Sequence, residues 1–469
     1  MINFDFKILE EFLKENCDFL NGAFIRKIQQ PSRQELIFGL RNNGENRKFY
    51  ININPQFFHI CFITDKTEKM RDIVLPQKPP MFCMLLRKFI ENSKIIKVNQ
   101  PKEERILEFY FKTINEFGEE ILLCLAIELM GKHSNVVLYN FDTNLIIGCA
   151  HNVGSEKSRE RELYGGMPYV YPPKRKNIDF IGLSSKLTGF ANEFIDNYYS
   201  KIQYDEKLKT LKNNLINKTT SELKKIKNTI NKIQQNEKSF KKIEQYRKNG
   251  DLIMANLYNN NDFQDKISVI DYETQETIEI ELDKTKTLKE NANRYYKLYN
   301  KGKTSRQKNE EIISDLIENK QILEERMFFI ENSFDLHDLK EISQENTSLP
   351  KTGGNGFNIE EIDINGYRVF VGKNNRQNDY IVSKLGRKED VWFHTRNCPG
   401  SHVLLRVEAG QEINNEILFE CAKLAKENSA GKNSSKVGVI YTRFKNIKKP
   451  PKCRLGYVIY KGETELVID

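Results

Sequence analysis

Two long stretches of the chain are helical by pattern and too polar to be stable alone. From about 201 to 248, Leu223, Ile226, Ile230, Ile233 and Phe240 follow the three-four spacing of a heptad seam. From about 304 to 331 the spacing recurs at Ile313, Leu316, Leu323, Met327 and Ile330. Neither stretch contains proline, and each carries a narrow apolar stripe in a charged surround. Such a stripe needs a partner helix to bury it, and the simplest partner is the other stretch, running antiparallel. The arm helices are placed at 201–249 and 301–345. A helix of about 45 residues spans roughly 65–70 Å. The chain is therefore expected to be α+β and multidomain, with a long antiparallel coiled-coil arm.

Charge singles out the first helix. Residues 201–250 hold 14 Lys and Arg against five acids, an excess of nine that equals the net charge of the whole 469-residue chain, +9. A localised basic stripe that includes Lys224, Lys225, Lys241 and Lys242 is the footprint of a polyanion binder; it is also what a solvated lysine-rich helix looks like.

The regions flanking the arm have other periods. Residues 1–175 alternate with period two in short runs (24–28, 35–40, 48–53, 58–63) separated by polar breaks, as in an antiparallel meander. Pro79-Pro80 then opens a helix, MFCMLLRKFIEN, and more strands follow at 95–98, 105–111, 121–128, 135–139 and 145–149. Residues 176–200 are a short connector. Between the arm helices, 250–300 reads as a small α/β tip. Residues 346–358, ENTSLPKTGGNGF, have linker composition. Residues 359–469 form a compact C-terminal α+β domain, opened by a hairpin around Asn365-Gly366 and containing a helix at 412–428.

Composition excludes several function classes. With 39% hydrophobic and 30% charged residues the chain is no polytopic membrane protein. The most apolar run, Ile121 to Met130, is half the length of a spanning helix and is broken by Glu128. The N-terminus has no basic region followed by an apolar run, so a cytoplasmic location is expected. Eight cysteines occur without a CxxC pair, most of them in apolar runs, and are expected to be reduced. No nucleophile elbow, HExxH, phosphate loop or dinucleotide fingerprint is present, so no catalytic constellation and no cofactor are expected. His394 and His402 flank Cys398, but three ligands at that spacing match no common zinc pattern, and no metal is expected.

Three polar segments stand out. Gly131-Lys132-His133-Ser134-Asn135 sits between two apolar strands, as a hairpin turn or as donors (Lys132, His133, Asn135) to phosphate or base. Gly372 to Asp379 reads as a loop after a strand, with Lys373, Asn374, Asn375, Arg376 and Asp379 suited to a phosphodiester backbone or to a packed polar turn. The third is DVWFHTRNCPGSH, where Trp392, the only tryptophan, neighbours His394, Arg396 and His402 and is either a core residue or a base-stacking platform.

Four motifs, PPMFCMLLRKFI, GKHSNVVLYN, GKNNRQNDY and DVWFHTRNCPGSHVLLR, together with the arm–tip–arm order, resemble the NFACT family over nearly the whole chain. The resemblance implies a glycosylase-N-like α/β N-terminal domain, the arm, and a C-terminal NFACT-R domain. It implies a ribosome-quality-control tailing factor that binds the large (50S) subunit carrying a stalled peptidyl-tRNA. Such a factor recruits charged tRNA, in bacteria alanyl-tRNA, and extends the nascent chain without a template. A small S4-like RNA-binding protein assists, and the ribosome supplies the peptide-bond chemistry. Base excision is not implied, because the Pro-Glu start of glycosylases is replaced by Met1-Ile2-Asn3.

Carried onto this sequence, the family's acid–arginine tRNA contact falls at Glu104-Arg105, where the usual aspartate is one methylene longer, and another acidic position falls at Asp5. The helix–hairpin–helix module usual in bacterial members has only about 25 residues available here, at 176–200. The rival readings are a matrix-binding adhesin and a coiled-coil scaffold for protein partners, neither of which requires RNA.

Overall fold

Asp5 starts the first helix. Its carboxylate accepts hydrogen bonds from the Lys7 and Ile8 amides and caps α1 (Phe6–Leu20). The computed structural model describes residues 3–469 except 115–117, 157, 159, 174–181, 237–239, 259–262, 345–358, 409 and 452; side chains at 236, 240 and 241 are also outside the description. The linker expected at 346–358 and part of the 176–200 connector lie outside the described residues.

The chain divides into two compact units, 1–207 and 208–469. The first contains two antiparallel meanders. One orders β1 (Phe24–Ser32), β2 (Glu35–Asn42), β3 (Glu45–Asn52) and β4 (His59–Ile63) sequentially. Next come α2 (Asp65–Met70) and α3 (Met81–Ile90). The second meander runs β5 (Ile95–Asn99), β6 (Ile106–Ile114), β7 (Glu120–Glu128), β8 (Asn135–Asn140) and β9 (Ile146–Cys149) in order. Phe12, Phe38, Phe49, Phe109 and Leu125 lie in one buried core shared by α1, α3 and both sheets. A second cluster covers the other face of β6–β9 with Leu163 and Tyr169. Both meanders fall where the period-two runs place them, although β4 and much of β6, β7 and β8 are buried on both faces.

The long helices differ from expectation in their bounds. α4 (Ala191–Asn236) begins ten residues before the expected start, and α5 (Phe240–Ala255) continues into the expected tip. The tip keeps a hairpin of β10 (Lys266–Ile270) and β11 (Thr277–Glu281). α6 (Leu288–Asn332) is one unbroken helix, started by a Thr287–Glu290 capping box; it begins inside the expected tip and ends short of the limit expected for the second arm helix.

Within the second unit the helices pair antiparallel at one register. Leu215 packs with Phe329 and Ile330 at one end. Ile243 lies against Gly302, and Gly250 against the Tyr296 ring, at the other. Lys212 Nζ donates to the Glu331 carbonyl at 2.6 Å. Leu223, Ile230, Leu316 and Leu323 lie between these anchor points along the helices. These seam residues are half-buried while most of their neighbours are exposed, as in a two-stranded coil. Phe240, the last expected seam position of the first helix, has no described side chain.

α7 (Leu336–Ser343) leads to the C-terminal sheet. Its strands are β12 (Glu360–Ile364), β13 (Tyr367–Val371), β14 (Val391–Thr395), β15 (Val403–Leu405), β16 (Val437–Arg443) and β19 (Thr464–Ile468). The antiparallel order is β12-β13-β15-β14-β16-β19. Positive φ at both Asn365 and Gly366 makes the β12–β13 turn, as the Asn-Gly pair dictates. Between β13 and β14 lies α8 (Asn375–Tyr380), and α9 (Asn415–Glu427) packs Ile417, Cys421 and Ala425 on the sheet. A small pair, β17 (Ile447–Lys448) and β18 (Ile459–Tyr460), precedes the last strand.

Candidate nucleic-acid interface

In the N-terminal unit, two segments far apart in sequence meet around Phe58. The Arg105 guanidinium sits over the Phe58 ring, 5.6 Å from its centroid, and its Nη1 reaches the Phe4 carbonyl at 3.5 Å. The Arg105 carbonyl accepts from Leu129 N at 2.9 Å, just before the 3-10 turn Gly131–His133. Gly131 has φ +66°, and a Cβ there would lie 3.6 Å from the same Phe58 ring. Lys132 and His133 are exposed, and Glu104 and Arg105 are half-exposed. The arrangement presents cations and a carboxylate on a rigid base, which suits phosphate and sugar contacts.

Two of the expected contact residues serve the fold instead. Asp5 is buried, and its second oxygen accepts from Ser184 N at 2.9 Å. Asn135 is buried too: its Oδ1 accepts from the His151 and Val136 amides and its Nδ2 donates to the His151 carbonyl. Their polar atoms are spent inside the protein.

On the arm, Lys224, Lys225 and Lys242 are exposed, as a phosphate-tracking stripe requires. Lys241 lies outside the described side chains.

The C-terminal unit corrects the second polar segment. Residues 375–380 are a helix, and Asn374, Asn375, Arg376, Gln377, Asn378 and Asp379 are all buried. Asn374 caps α8 by accepting from Gln377 N and donates to Glu341 Oε2 at 2.8 Å. Gln377 Nε2 reaches Asp338 and Glu341 on α7, and Arg376 donates to the Gln344 carbonyl. Asn378 receives the His402 amide at 2.9 Å, and Asp379 receives Lys449 Nζ and the Gly456 amide. The segment is a polar hub joining α7, the 400–402 turn and the 449–456 segment. Asn374, Arg376 and Asp379 are thus committed internally, and only Lys373 of the expected contact set 373–379 is exposed.

Trp392 is also corrected as a stacking platform. It is 1% exposed, with His394 parallel to it at 5.8 Å and His402 edge-on at 5.2 Å. Burial pushes the His394 imidazole down to about 4 and holds His402 well below its ordinary value, with the neighbouring His394 adding to the effect. Both rings are neutral at pH 7. Around them opens a cavity of about 600 Å³ whose walls include Asn375, Asn378, His394, Arg396, His402, Arg454 and Tyr457 together with Gln321, Glu324 and Glu325 of α6. Arg454 pairs with Glu325 at 3.2 Å and exposed Arg396 pairs with Glu465. The sequence marks 375 and 392–402 separately; the fold places them on one cavity. Arg454 and Tyr457 were not singled out, because no periodicity or motif marks the irregular segment that carries them.

Among the described residues, His337, Asp338 and Glu341 set three potential ligand atoms within 4.8 Å of one another. Asp338 and Glu341 already accept from Gln377 there, which favours a hydrogen-bonded role.

The family of NFACT N-terminal and middle domains matches residues 5–191 and 182–349, and the NFACT protein RNA binding domain matches 357–463. The chain belongs to the NFACT family. Similar curated NFACT relatives include "Rqc2 homolog RqcH" of Bacillus subtilis strain 168, 27% identical over 546 aligned positions covering 94% of this chain and 93% of the relative. The same-named protein of Streptococcus pneumoniae D39 is 26% identical, with 99% and 97% covered. Among solved structures, the N-terminal part of the fibronectin/fibrinogen-binding protein from Streptococcus suis is 32% identical over 37% of this chain and 62% of that chain, with a TM-score of 0.34. Membership and relatives together support ribosome quality control and RNA binding for this NFACT chain. Among its described residues no helix is long and apolar enough to cross a membrane.

Proposed function

We propose that the protein binds the large ribosomal subunit holding a stalled peptidyl-tRNA and recruits charged tRNA, alanyl-tRNA by family resemblance, for template-independent C-terminal tailing. In this reading the half-exposed Glu104-Arg105 pair and the Lys132-His133 turn grip tRNA, and the lysines of α4 and α5 track rRNA. The protein itself is not an enzyme; peptide-bond formation belongs to the ribosome. Its place of action is the cytoplasm, with an S4-like RNA-binding protein assisting.

The observation that carries the proposal is that Arg105 and Gly131 both lie against the Phe58 ring, next to Glu104 and the exposed Lys132 and His133 in sequence, in a domain matched to the NFACT N-terminal family. The seam between the two family matches, 182–191, falls at the start of α4. That is where the sequence leaves room only for a shortened middle module. A smaller module leaves a larger share of RNA contact to the basic helices.

The test is to purify the tagged protein from its own cells and sequence the co-purifying RNA, with Glu104→Ala/Arg105→Ala in parallel. Large-subunit rRNA and one dominant tRNA are expected, with the tRNA lost in the variant. rRNA without an enriched tRNA would overturn tailing. Absence of RNA would overturn the whole proposal in favour of a protein scaffold.

A further inference from the structure

The C-terminal domain concentrates its positive charge in two short segments. Residues 384–388 and 443–454 hold nine Lys and Arg and no acid, whereas the rest of 359–469 holds ten against 14 Asp and Glu. The fold brings the two segments together. Lys445 N donates to the Lys388 carbonyl at 3.2 Å, and Phe444 N to the Asp390 carbonyl at 2.8 Å. Arg443 Nη1 donates to the Glu389 carbonyl at 2.6 Å. Gly386 lies against the Phe444 ring, too close to admit a Cβ. Leu385, Phe444 and Ile447 pack beneath, against the Trp392 and Ile440 cluster, on the sheet face opposite α9.

Some of these cations are already committed. Lys449 pairs with Asp379, Arg454 with Glu325, and Arg387 faces Glu408 at 3.6 Å. Lys384, Lys388, Lys445 and Lys448 differ: all four are exposed, and among the described residues they form no ion pair. Main-chain bonds therefore hold Lys388 and Lys445 next to each other with no carboxylate to neutralise them. Like charges gathered in this way repel, and a bound anion relieves the repulsion.

The side chains also say how an anionic chain would be read. Lysine ammonium groups are compact point charges that meet phosphates without fixing a base edge. Phe444 is the only aromatic residue of the two segments, and its ring is taken up by Gly386 and the core, so neither segment offers a bare ring for base stacking. The domain is matched to the NFACT protein RNA binding domain over 357–463, which makes RNA the polyanion that fits.

We propose that residues 384–388 and 443–448 form the phosphate-contacting face of the C-terminal domain, with Lys388 and Lys445 at its centre, holding the sugar–phosphate backbone of RNA without reading its sequence. The proposal rests on the RNA-binding reading above and adds the place of contact and its kind.

The full-length protein is titrated with two labelled RNA duplexes of unrelated sequence, followed by anisotropy at stepped salt. Lys388→Gln/Lys445→Gln keeps the main-chain bonds and should leave the melting curve unchanged. It should weaken both duplexes about tenfold at low salt and lower the log–log salt slope by roughly 0.7–0.9 per lysine. Lys384→Gln/Lys448→Gln should act in the same direction. Lys423→Gln/Lys436→Gln removes the same charge at exposed positions outside the two segments and should change affinity less than twofold. Equal losses in the control and the Lys388/Lys445 variant would overturn the assignment of this face, since net charge alone would then explain them. Wild-type affinity and slope in both test variants would overturn it too, leaving RNA binding to other parts of the chain. A loss confined to one duplex sequence would overturn the backbone-only mode. Failure of the wild-type protein to bind either duplex or tRNA would overturn the RNA-binding reading itself.

Discussion

Arg71 and Asp196 form a 2.6 Å ion pair almost wholly shielded from solvent, joining the end of α2 to the first turns of α4. Arg71 also donates from Nε to Gln203, and Thr67 donates to the other Asp196 oxygen at 2.7 Å. Removing one partner strands a charge in a dry site. Arg71→Ala is expected to destabilise the N-terminal unit by about 3–5 kcal/mol. The apolar double replacement Arg71→Met/Asp196→Leu should recover much of that loss. Urea denaturation followed by far-UV circular dichroism checks both. Equal losses in the single and double variants would contradict the pair's role.

The C-terminal unit should lose stability in mild acid. His394 and His402 are held neutral by burial, so their folded values lie below that of a free histidine, about 6.5. The unfolded chain then binds more protons than the folded one in that interval. Their contribution is present above pH 6.5 and is lost as pH falls toward 4. Denaturation followed by Trp392 emission at stepped pH measures this. His402→Gln should flatten the slope.

RNA affinity should fall steeply with salt if the arm lysines touch phosphate. Lys224→Gln/Lys225→Gln removes two exposed cations and should lower the log–log slope by roughly 0.7–0.9 for each lysine that neutralises a phosphate. Filter binding of rRNA fragments between low and physiological salt gives the slope. An unchanged slope would leave the stripe as a solvated face.

Gly302 lies inside α6, where glycine ordinarily costs about 1 kcal/mol relative to alanine. A Cβ there would come within 2.7 Å of Ile243 on the facing helix. Gly302→Ala is therefore expected to lower the arm's melting temperature despite its better helix propensity. A rise would show that Ile243 swings aside.

The strands were legible in the sequence as short apolar runs between polar breaks, although consecutive residues such as Leu36, Ile37 and Phe38, or Tyr50 and Ile51, are buried on both faces. The heptad seams were legible by their three-four spacing. Helix limits were not. The beginning of α4 is held by contacts with distant residues, including Asn192 with Phe62 and Asp196 with Arg71, which no local pattern encodes.

Polar side chains misled most at α8. Its residues carry no apolar period, so NNRQND reads as a solvated loop. Their amides and carboxylates are consumed by α7 and by the 400–402 and 449–456 segments, a tertiary outcome. The same holds for Asp5 and Asn135. The 104–105 and 131–133 segments were recognisable separately. Their meeting on Phe58 depends on how the meander brings 129 beside 105, which spacing alone does not reveal.

The single register of the paired helices makes the arm a ruler. α6 runs without a break from Tyr296, beside Gly250, to Ile330, beside Leu215. That sets those two contacts about 50 Å apart along its axis. A residue added to one helix alone would rotate its stripe away from its mate, so this distance changes only by matched insertions in both strands, in steps close to seven residues. The span between tip and base is thus digital, written twice in the sequence, and each copy proofreads the other.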